Sequence, residues 1–170
     1  MDVRLVDAKT AEQLAEVREL FGELAQLDLG HVRRLGLNGK DSWELVFKSG
    51  AEELPGDYAP PAGRLLIARV DDHVAGCGAF HSISAGTCEM KRVFVRSRFR
   101  SAGVGRTLAN ALIASAGAAG YERMCLDTTT YFTSAIALYE SLGFHRCPGY
   151  YEIPDSLRAI TICMERRLSV

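Results

Sequence analysis

The feature that most constrains the fold of this chain is a basic strand that passes into a helix through small residues. Residues 89–105 have the sequence EMKRVFVRSRFRSAGVG, in which five cationic side chains precede Ser101. Helical spacing of apolar residues begins at Val104. The start of a helix leaves backbone N–H groups unpaired beside the positive end of the helix dipole, and such groups bind phosphates. The segment therefore predicts an anion site, with a glycine-assisted turn and solvated arginines as the alternative.

The hydrophobic pattern around this segment predicts an α/β fold. Alternating apolar residues indicate strands, and apolar residues spaced three and four apart indicate helices. Because hairpin strands alternate with helices, we expect a mixed, mostly antiparallel central sheet flanked by helices. The predicted order is a strand at residues 3–5, a helix opened by a capping box at Thr10–Gln13, three strands at 65–70, 74–83 and 87–95, a helix from Gly103, a strand at 122–128, a helix at 134–142 and a strand at 160–165.

Length and composition agree with one domain over residues 1–170. A chain of 170 residues that is 48% hydrophobic has enough apolar residues for one sizeable core. Its net charge of −1 argues against a nucleic-acid partner. Acidic residues scattered through residues 1–30 disfavour a signal peptide or a membrane span, so we expect no membrane partner. The five cysteines form no CxxC pair, which favours reduced thiols in a cytoplasmic protein and predicts no metal site.

Residues 28–63 have a weaker pattern than the rest of the chain. Trp43–Phe47 has the spacing of a helix turn, while Leu54–Gly56 and Pro60–Pro61 break regular structure. We interpret residues 28–63 as a segment that covers a pocket.

Two motifs resemble those of the GNAT-type N-acetyltransferase superfamily. The first, Arg100-x-x-Gly103-x-Gly105, is similar to the acetyl-CoA pyrophosphate loop Q/R-x-x-G-x-G/A of that family. The second, AIALYESLGF at residues 135–144, matches the later family segment A-x-x-L-Y-x-x-x-G-F. The resemblance covers roughly residues 64–168, and it implies that residues 28–63 are a variable segment that covers the acceptor site. It implies a single-domain GNAT-like fold in which splayed strands form the cofactor cleft, with acetyl-CoA as the acyl-donor cosubstrate.

The resemblance also implies how the donor is held. The main chain of Val93 and Val95 is expected to pair with the pantetheine arm, and a main-chain N–H near Phe94 to stabilise the oxyanion. Backbone N–H groups of the loop are expected to hold the pyrophosphate. The implied cofactor-binding residues are Val93, Phe94, Val95, Arg100, Ser101, Ala102, Gly103, Val104, Gly105, Arg106, Ser134 and Leu138.

Two further residues are catalytic candidates. Tyr139 resembles the family tyrosine that protonates the departing thiolate, and a phenol with a pKa of about 10 suits that proton transfer; a core tyrosine is the alternative. Glu89 lies near the position of a family glutamate that removes the amine proton. A surface ion pair with Lys91 is the alternative for Glu89. His81 is a second candidate base, although the pattern favours a structural histidine with its hydrogen bonds satisfied.

Departures from the family pattern affect both sides of the expected cleft. Ser101 and Ala102 stand where glycine and a basic or polar residue are common in the family. Phe132 stands where many members have a cofactor-binding asparagine, a role that Thr133 or Ser134 could take. Residues 149–152, GYYE, could line the acceptor pocket with aromatic rings or form an ordinary packed loop.

The sequence thus predicts an enzyme that transfers acetyl from acetyl-CoA to a primary amine by direct attack in a ternary complex. The acceptor is expected to be a small-molecule amine or a peptide amine. None of the thiols has the pattern of a nucleophile with a partner histidine, so we expect no acyl-enzyme. A non-catalytic acyl-CoA-binding or regulatory domain and a nucleic-acid-binding module are the alternatives. The family resemblance also favours a homodimer.

Overall fold

The computed structural model describes residues 2–36 and 53–169. The helix turn predicted at Trp43–Phe47, and the central part of the predicted cover, lie outside the described residues. The described elements are β1 (Val3–Asp7), α1 (Ala11–Arg34), β2 (Arg64–Val70), β3 (His73–Ser84), β4 (Thr87–Val95), α2 (Val104–Ala118), β5 (Arg123–Thr129), α3 (Thr133–Ser141), β6 (His145–Arg146), α4 (Asp155–Arg158) and β7 (Thr161–Arg167), with short 3-10 turns at Gly56–Tyr58 and Ser97–Phe99.

The described strands form one seven-stranded sheet in the order β1-β2-β3-β4-β5-β7-β6. Neighbouring strands pair antiparallel except β4 and β5, which are parallel. The predicted mixed, mostly antiparallel sheet is therefore confirmed. The first strand, the capping box of Thr10 with Gln13 and the three-stranded meander are also as predicted.

Helices α1 and α2 cover opposite faces of the sheet because the strand residues alternate. Along β2, Leu66 and Ala68 belong to the apolar cluster that contains α2, whereas Leu65 and Ile67 belong to the cluster that contains α1. Each helix contributes one apolar stripe to its cluster. The stripe of α1 includes Val17, Leu20 and Phe21, and that of α2 includes Leu108, Leu112 and Ala116.

Strands β4 and β5 separate soon after they begin. Their parallel pairing joins residues 87–89 to residues 123–125 and ends there. On the other edge of β4, the register with β3 shifts so that Arg92 and Val93 lie opposite the single residue Gly78. Arg92 has a φ of 60°, which bends the strand at this bulge. The expected splay of the two strands is thus present, and it opens the wedge in which the candidate site lies.

Two short elements were not predicted. Strand β6 has two residues and helix α4 has four, which is too short for a hydrophobic period to be detectable. None of the helices within residues 2–36 and 53–169 is both long and apolar enough to cross a membrane.

Candidate active site

A groove of about 1190 Å³ follows the wedge between β4 and β5. Its walls come from the C-terminal half of α1, from β4, from the start of α2 and from the segments around α3 and α4. Both candidate catalytic residues, Tyr139 and Glu89, line it, as do all the predicted cofactor-binding residues except Ala102. The side chain of Ala102 packs instead against the apolar cluster that contains α2. The structure therefore brings eleven of the twelve predicted cofactor-binding residues to one groove.

The start of α2 forms one end of this groove. Gly103 precedes the helix with a φ of 78°, a left-handed conformation that favours glycine, and the position where a Cβ would lie has no atom within 4 Å. Ser101 has a φ of 65°. Arg100 Nε donates to the carbonyl of Val95 at 3.1 Å, which holds the loop against the end of β4. The unpaired N–H groups in the first turn of α2 belong to residues that line the groove, as an anion site requires.

Tyr139 lies on α3 and is 7% exposed. Its ring packs edge-on against Phe144, with 5.9 Å between ring centroids. Burial raises the pKa of the Tyr139 phenol, and the negative charge of Asp127 raises it further. The phenol is therefore protonated at neutral pH, as a proton donor must be.

Glu89 lies in the groove wall with both carboxylate oxygens in contact with other side chains. Oε1 accepts a hydrogen bond from the Tyr150 hydroxyl at 2.6 Å and lies 3.2 Å from Lys91 Nζ. Oε2 lies 2.8 Å from His81 Nε2. The alternative interpretation of a surface ion pair with Lys91 is wrong in one respect: the pair exists, but Glu89 is only 5% exposed. His81 stands behind Glu89 on β3 and does not itself line the described groove.

These contacts determine the charge of Glu89. Burial alone raises the pKa of a carboxyl group, but the hydrogen bond with His81, the charge of Lys91 and the hydrogen bond from Tyr150 outweigh it. The pKa of Glu89 is therefore below its ordinary value. At neutral pH the group is a carboxylate that can receive a proton but holds it weakly.

Asp127 on β5 provides a second acid across the wedge. Lys91 Nζ lies 3.2 Å from Asp127 Oδ1, just beyond the last paired residues of β4 and β5. The Tyr151 hydroxyl donates to Asp127 Oδ2 at 3.0 Å. Burial lowers the pKa of Lys91, but the two carboxylates outweigh it and the net shift is upward. Sequence reasoning missed Asp127, although a single acid inside the apolar strand MCLDTT was a detectable signal.

A third acid, Asp28, lines the groove from α1. The Tyr131 hydroxyl donates to Asp28 Oδ1 at 3.0 Å, and the His31 ring stacks on Tyr131 with 4.4 Å between centroids. Burial raises the pKa of Asp28 to about 6, against the opposing effects of the Tyr131 hydrogen bond and the charge of Arg92. Phe132, which stands at the family's asparagine position, packs edge-on against both rings. Asp28 could have been noticed in the sequence, because it is an acidic residue at a position of the apolar stripe of α1.

Comparison of the sequence with known protein families identifies a family for this chain. The sequence model of the acetyltransferase (GNAT) family matches residues 39–144. The chain belongs to the GNAT family of acetyltransferases. The matched range includes both GNAT motifs and most of the groove walls.

Relatives of this GNAT chain include curated proteins and solved structures. An uncharacterized N-acetyltransferase of Schizosaccharomyces pombe is 38% identical over 117 residues, which are 65% of this chain and 71% of that protein. An IAA acetyltransferase of Azospirillum brasilense is 39% identical over 87 residues, which are 51% of this chain and 57% of that protein. The PaiA N-acetyltransferase from Thermoplasma acidophilum, solved with coenzyme A, has a TM-score of 0.72 at 15% identity and covers 98% of this chain and 99% of that one. The last likeness shows the GNAT fold.

Proposed function

We propose that this GNAT protein transfers the acetyl group of acetyl-CoA to a primary amine while both substrates are bound. The observation that carries the proposal is one continuous groove with the unpaired N–H groups of a helix start at one end and carboxylates, among them the buried Glu89, within it. The first end suits the phosphates of a coenzyme A thioester, and the carboxylates suit an amine. Membership of the GNAT family and the solved neighbour with bound coenzyme A support acetyl-CoA as the donor.

The donor would lie along the edge of β4. Beyond Glu89 this edge no longer pairs with β5, so the main chain of Val93 and Val95 can pair with the pantetheine arm. The N–H groups at the start of α2 would hold the pyrophosphate. Ser134 and Leu138 on α3 line the opposite wall.

In the proposed reaction the amine attacks the thioester carbonyl directly. A carbon–nitrogen bond forms, the carbon–sulfur bond breaks, and a main-chain N–H near Phe94 stabilises the oxyanion between the two events. Tyr139 gives its proton to the departing thiolate. The nitrogen loses its second proton as the amide forms, and that proton, passed on through water, restores the Tyr139 phenol.

The local charge beside Glu89 favours an amine acceptor. Glu89, Lys91 and Asp127 together carry a net charge of −1 when all three are ionised, so the cluster attracts an ammonium group. A covalent route through a thiol is unfavourable, because none of the cysteines in the described part of the chain lines the groove, and burial raises the pKa of Cys125, which pairs with Glu89 across β4 and β5. Direct transfer needs no thiolate.

A panel of amines tests this function. Release of coenzyme A thiol is measured from acetyl-CoA with ethylamine, spermidine, aspartate and a peptide with a free N-terminus. We expect turnover with at least one of these classes. If no amine releases thiol while acetyl-CoA still raises the melting temperature, the chain is an acyl-CoA-binding domain and the proposed activity is wrong.

Two variants at Gly103 provide matched controls for the panel. Gly103→Glu places a negative charge at the phosphate end and is expected to abolish both acetyl-CoA binding and turnover. Gly103→Ala adds no charge, and its added carbon meets open space. Its cost is backbone strain of about 1 kcal/mol, so it is expected to retain binding.

A further inference from the structure

Tyr150 stands beside Glu89 in the groove wall. The two residues are far apart along the chain, and Tyr150 belongs to the segment between β6 and α4. Its side chain lines the groove and is only partly buried. Its hydroxyl donates to Glu89 Oε1 at 2.6 Å, the shorter of the two contacts of that oxygen. Because this hydrogen is directed to Glu89, the lone pairs of the Tyr150 oxygen are available to a hydrogen-bond donor in the groove.

The other contacts of Glu89 leave Tyr150 as its link to an acceptor. Lys91 occupies Oε1 from β4, and His81 occupies Oε2 from β3. Lys91 is an ammonium group without a lone pair, and His81 does not line the described groove, so neither provides a path for a proton from a bound acceptor to Glu89. The Tyr150 hydroxyl provides one, because its oxygen can accept the proton while its own hydrogen passes to Glu89.

We propose that Tyr150 is a catalytic residue that relays the proton of the acceptor ammonium to Glu89. The ammonium N–H bond breaks as an O–H bond forms at Tyr150, while the original Tyr150 proton moves to Glu89 Oε1. The products of this step are a neutral amine, a neutral tyrosine and a protonated Glu89. After the amide and coenzyme A leave, the proton returns through Tyr150 to water. This inference rests on the proposed acetyl transfer to an amine.

The charged groups around the pair suit a relay. Lys91 on β4 and His81 on β3 keep Glu89 ionised before the acceptor binds. Burial raises the pKa of the Tyr150 phenol, and the charges of Asp127 on β5 and Glu89 raise it further. The Tyr150 phenol therefore stays neutral before and after it passes the proton on. Tyr151, the other hydroxyl on this segment, donates to Asp127 instead.

Tyr150→Phe tests the relay when it is compared on two minimal acceptors of similar size. Ethylamine is an ammonium ion at neutral pH and needs the relay, whereas trifluoroethylamine is already largely neutral because fluorine withdraws electrons. With acetyl-CoA saturating, we expect Tyr150→Phe to lower kcat/KM for ethylamine about 100-fold, the lower range for loss of general acid–base catalysis. For trifluoroethylamine the expected loss is no more than about 5-fold.

Tyr151→Phe is the matched control, since it removes the same atom and the same kind of hydrogen bond. We expect it to change kcat/KM by one common factor for both amines. Equal losses for both amines in Tyr150→Phe would overturn the relay and leave Tyr150 with a structural role.

A titration of Glu89 by carbon-detected NMR adds a readout that does not depend on turnover. Tyr150→Phe removes a hydrogen bond to the carboxylate, so we expect the pKa of Glu89 to rise. An unchanged pKa would contradict the contact on which the relay depends. Absence of turnover by the wild-type protein across the whole amine panel would instead overturn the acetyl transfer itself, and the relay with it.

Discussion

At the scale of single residues, Tyr139 and Glu89 line the same groove but have opposite surroundings. The Tyr139 phenol is buried near a negative charge, which raises its pKa. The Glu89 carboxylate has a cation and two further polar side chains around it, which lower its pKa. Environments that move two pKa values apart separate a proton donor from a proton acceptor. The donor and acceptor roles proposed for these residues agree with that separation.

Tyr139→Phe tests the donor role. Without the hydroxyl, the leaving thiolate has no proton donor at this position, so we expect kcat to fall about 100-fold. The dissociation constant of acetyl-CoA is expected to stay the same. Steady-state kinetics and a binding titration measure the two quantities.

Tyr121→Phe provides the control for Tyr139→Phe. Tyr121 is a buried tyrosine that donates to the carbonyl of Ala62 and does not line the described groove. Its loss is expected to lower stability but not turnover. Full turnover by Tyr139→Phe would rule out the donor role.

Asp28 provides a prediction about pH and stability. Its pKa is raised from 3.8 to about 6 in the folded protein, so between these pH values the folded state binds the proton more tightly than the unfolded state. The contribution of Asp28 to the free energy of unfolding therefore falls as pH rises through this window and is constant above it. Urea unfolding of wild type and Asp28→Asn across the window measures this contribution as a difference. A difference that does not change with pH would contradict the raised pKa.

At the scale of secondary-structure elements, the bulge in β4 depends on close approach by β3. A Cβ at Gly76 would lie 2.3 Å from the carbonyl oxygen of Phe94 and 3.2 Å from the Cα of Val95. Both atoms belong to the main chain, which cannot move without shifting the strand. Gly76 therefore fixes where β4 lies as it leaves the bulge, next to the edge proposed for the pantetheine arm.

Gly76→Ala is expected to act on both stability and donor binding. We expect a loss of about 1–3 kcal/mol in the free energy of unfolding, since the added carbon must displace backbone. Acetyl-CoA should bind more weakly because the edge of β4 moves. Gly22→Ala is the control, because Gly22 lies in α1 with no atom within 4 Å of an added Cβ. It is expected to stabilise by about 0.5–1 kcal/mol. Unchanged acetyl-CoA affinity in Gly76→Ala would contradict the proposal that the edge of β4 at the bulge binds the donor.

The sequence was informative about elements in proportion to their length. Strands β2 to β5 and helices α1 to α3 are long enough for their apolar periods to be visible, and they were predicted. The loop before α2 was predictable because its small residues stand between a strand pattern and a helix pattern. Such residues leave the N–H groups of the helix start open to an anion. The hydrogen bond between Tyr150 and Glu89 was not predictable, because it depends on the order of β5, β6 and β7 in the sheet. Local sequence patterns carry no information about that order.

At the scale of the whole molecule, the groove combines two kinds of construction. The end proposed for the donor is made largely of main chain, from the bulge in β4 and the start of α2. The part proposed for the acceptor is made of side chains from α1, β4, β5 and the segment before α4. This division explains why the residues proposed to hold the donor could be named from two motifs, whereas Asp28, Asp127 and the role proposed for Tyr150 could not.

The stability of the whole fold should respond to the nucleotide part of the donor. A ligand at 100 times its dissociation constant stabilises a folded protein by about 2.7 kcal/mol. For a chain of this size that corresponds to a rise in Tm of roughly 5–10 °C. Coenzyme A is expected to produce this shift, and pantetheine at the same concentration a much smaller one, because pantetheine lacks the nucleotide together with its pyrophosphate. Thermal unfolding with each ligand makes the comparison; equal shifts would contradict a phosphate site at the start of α2.

Strand β7 has a consequence for how the protein is made. It follows the other described strands along the chain, yet it lies between β5 and β6 in the sheet. On the ribosome, the chain up to residue 160 contains β4 and the start of α2, while the edge of β5 that β7 will occupy has no strand to pair with. Unpaired strand edges associate with other chains. Until β7 is synthesised, this edge of β5 therefore exposes the nascent protein to aggregation.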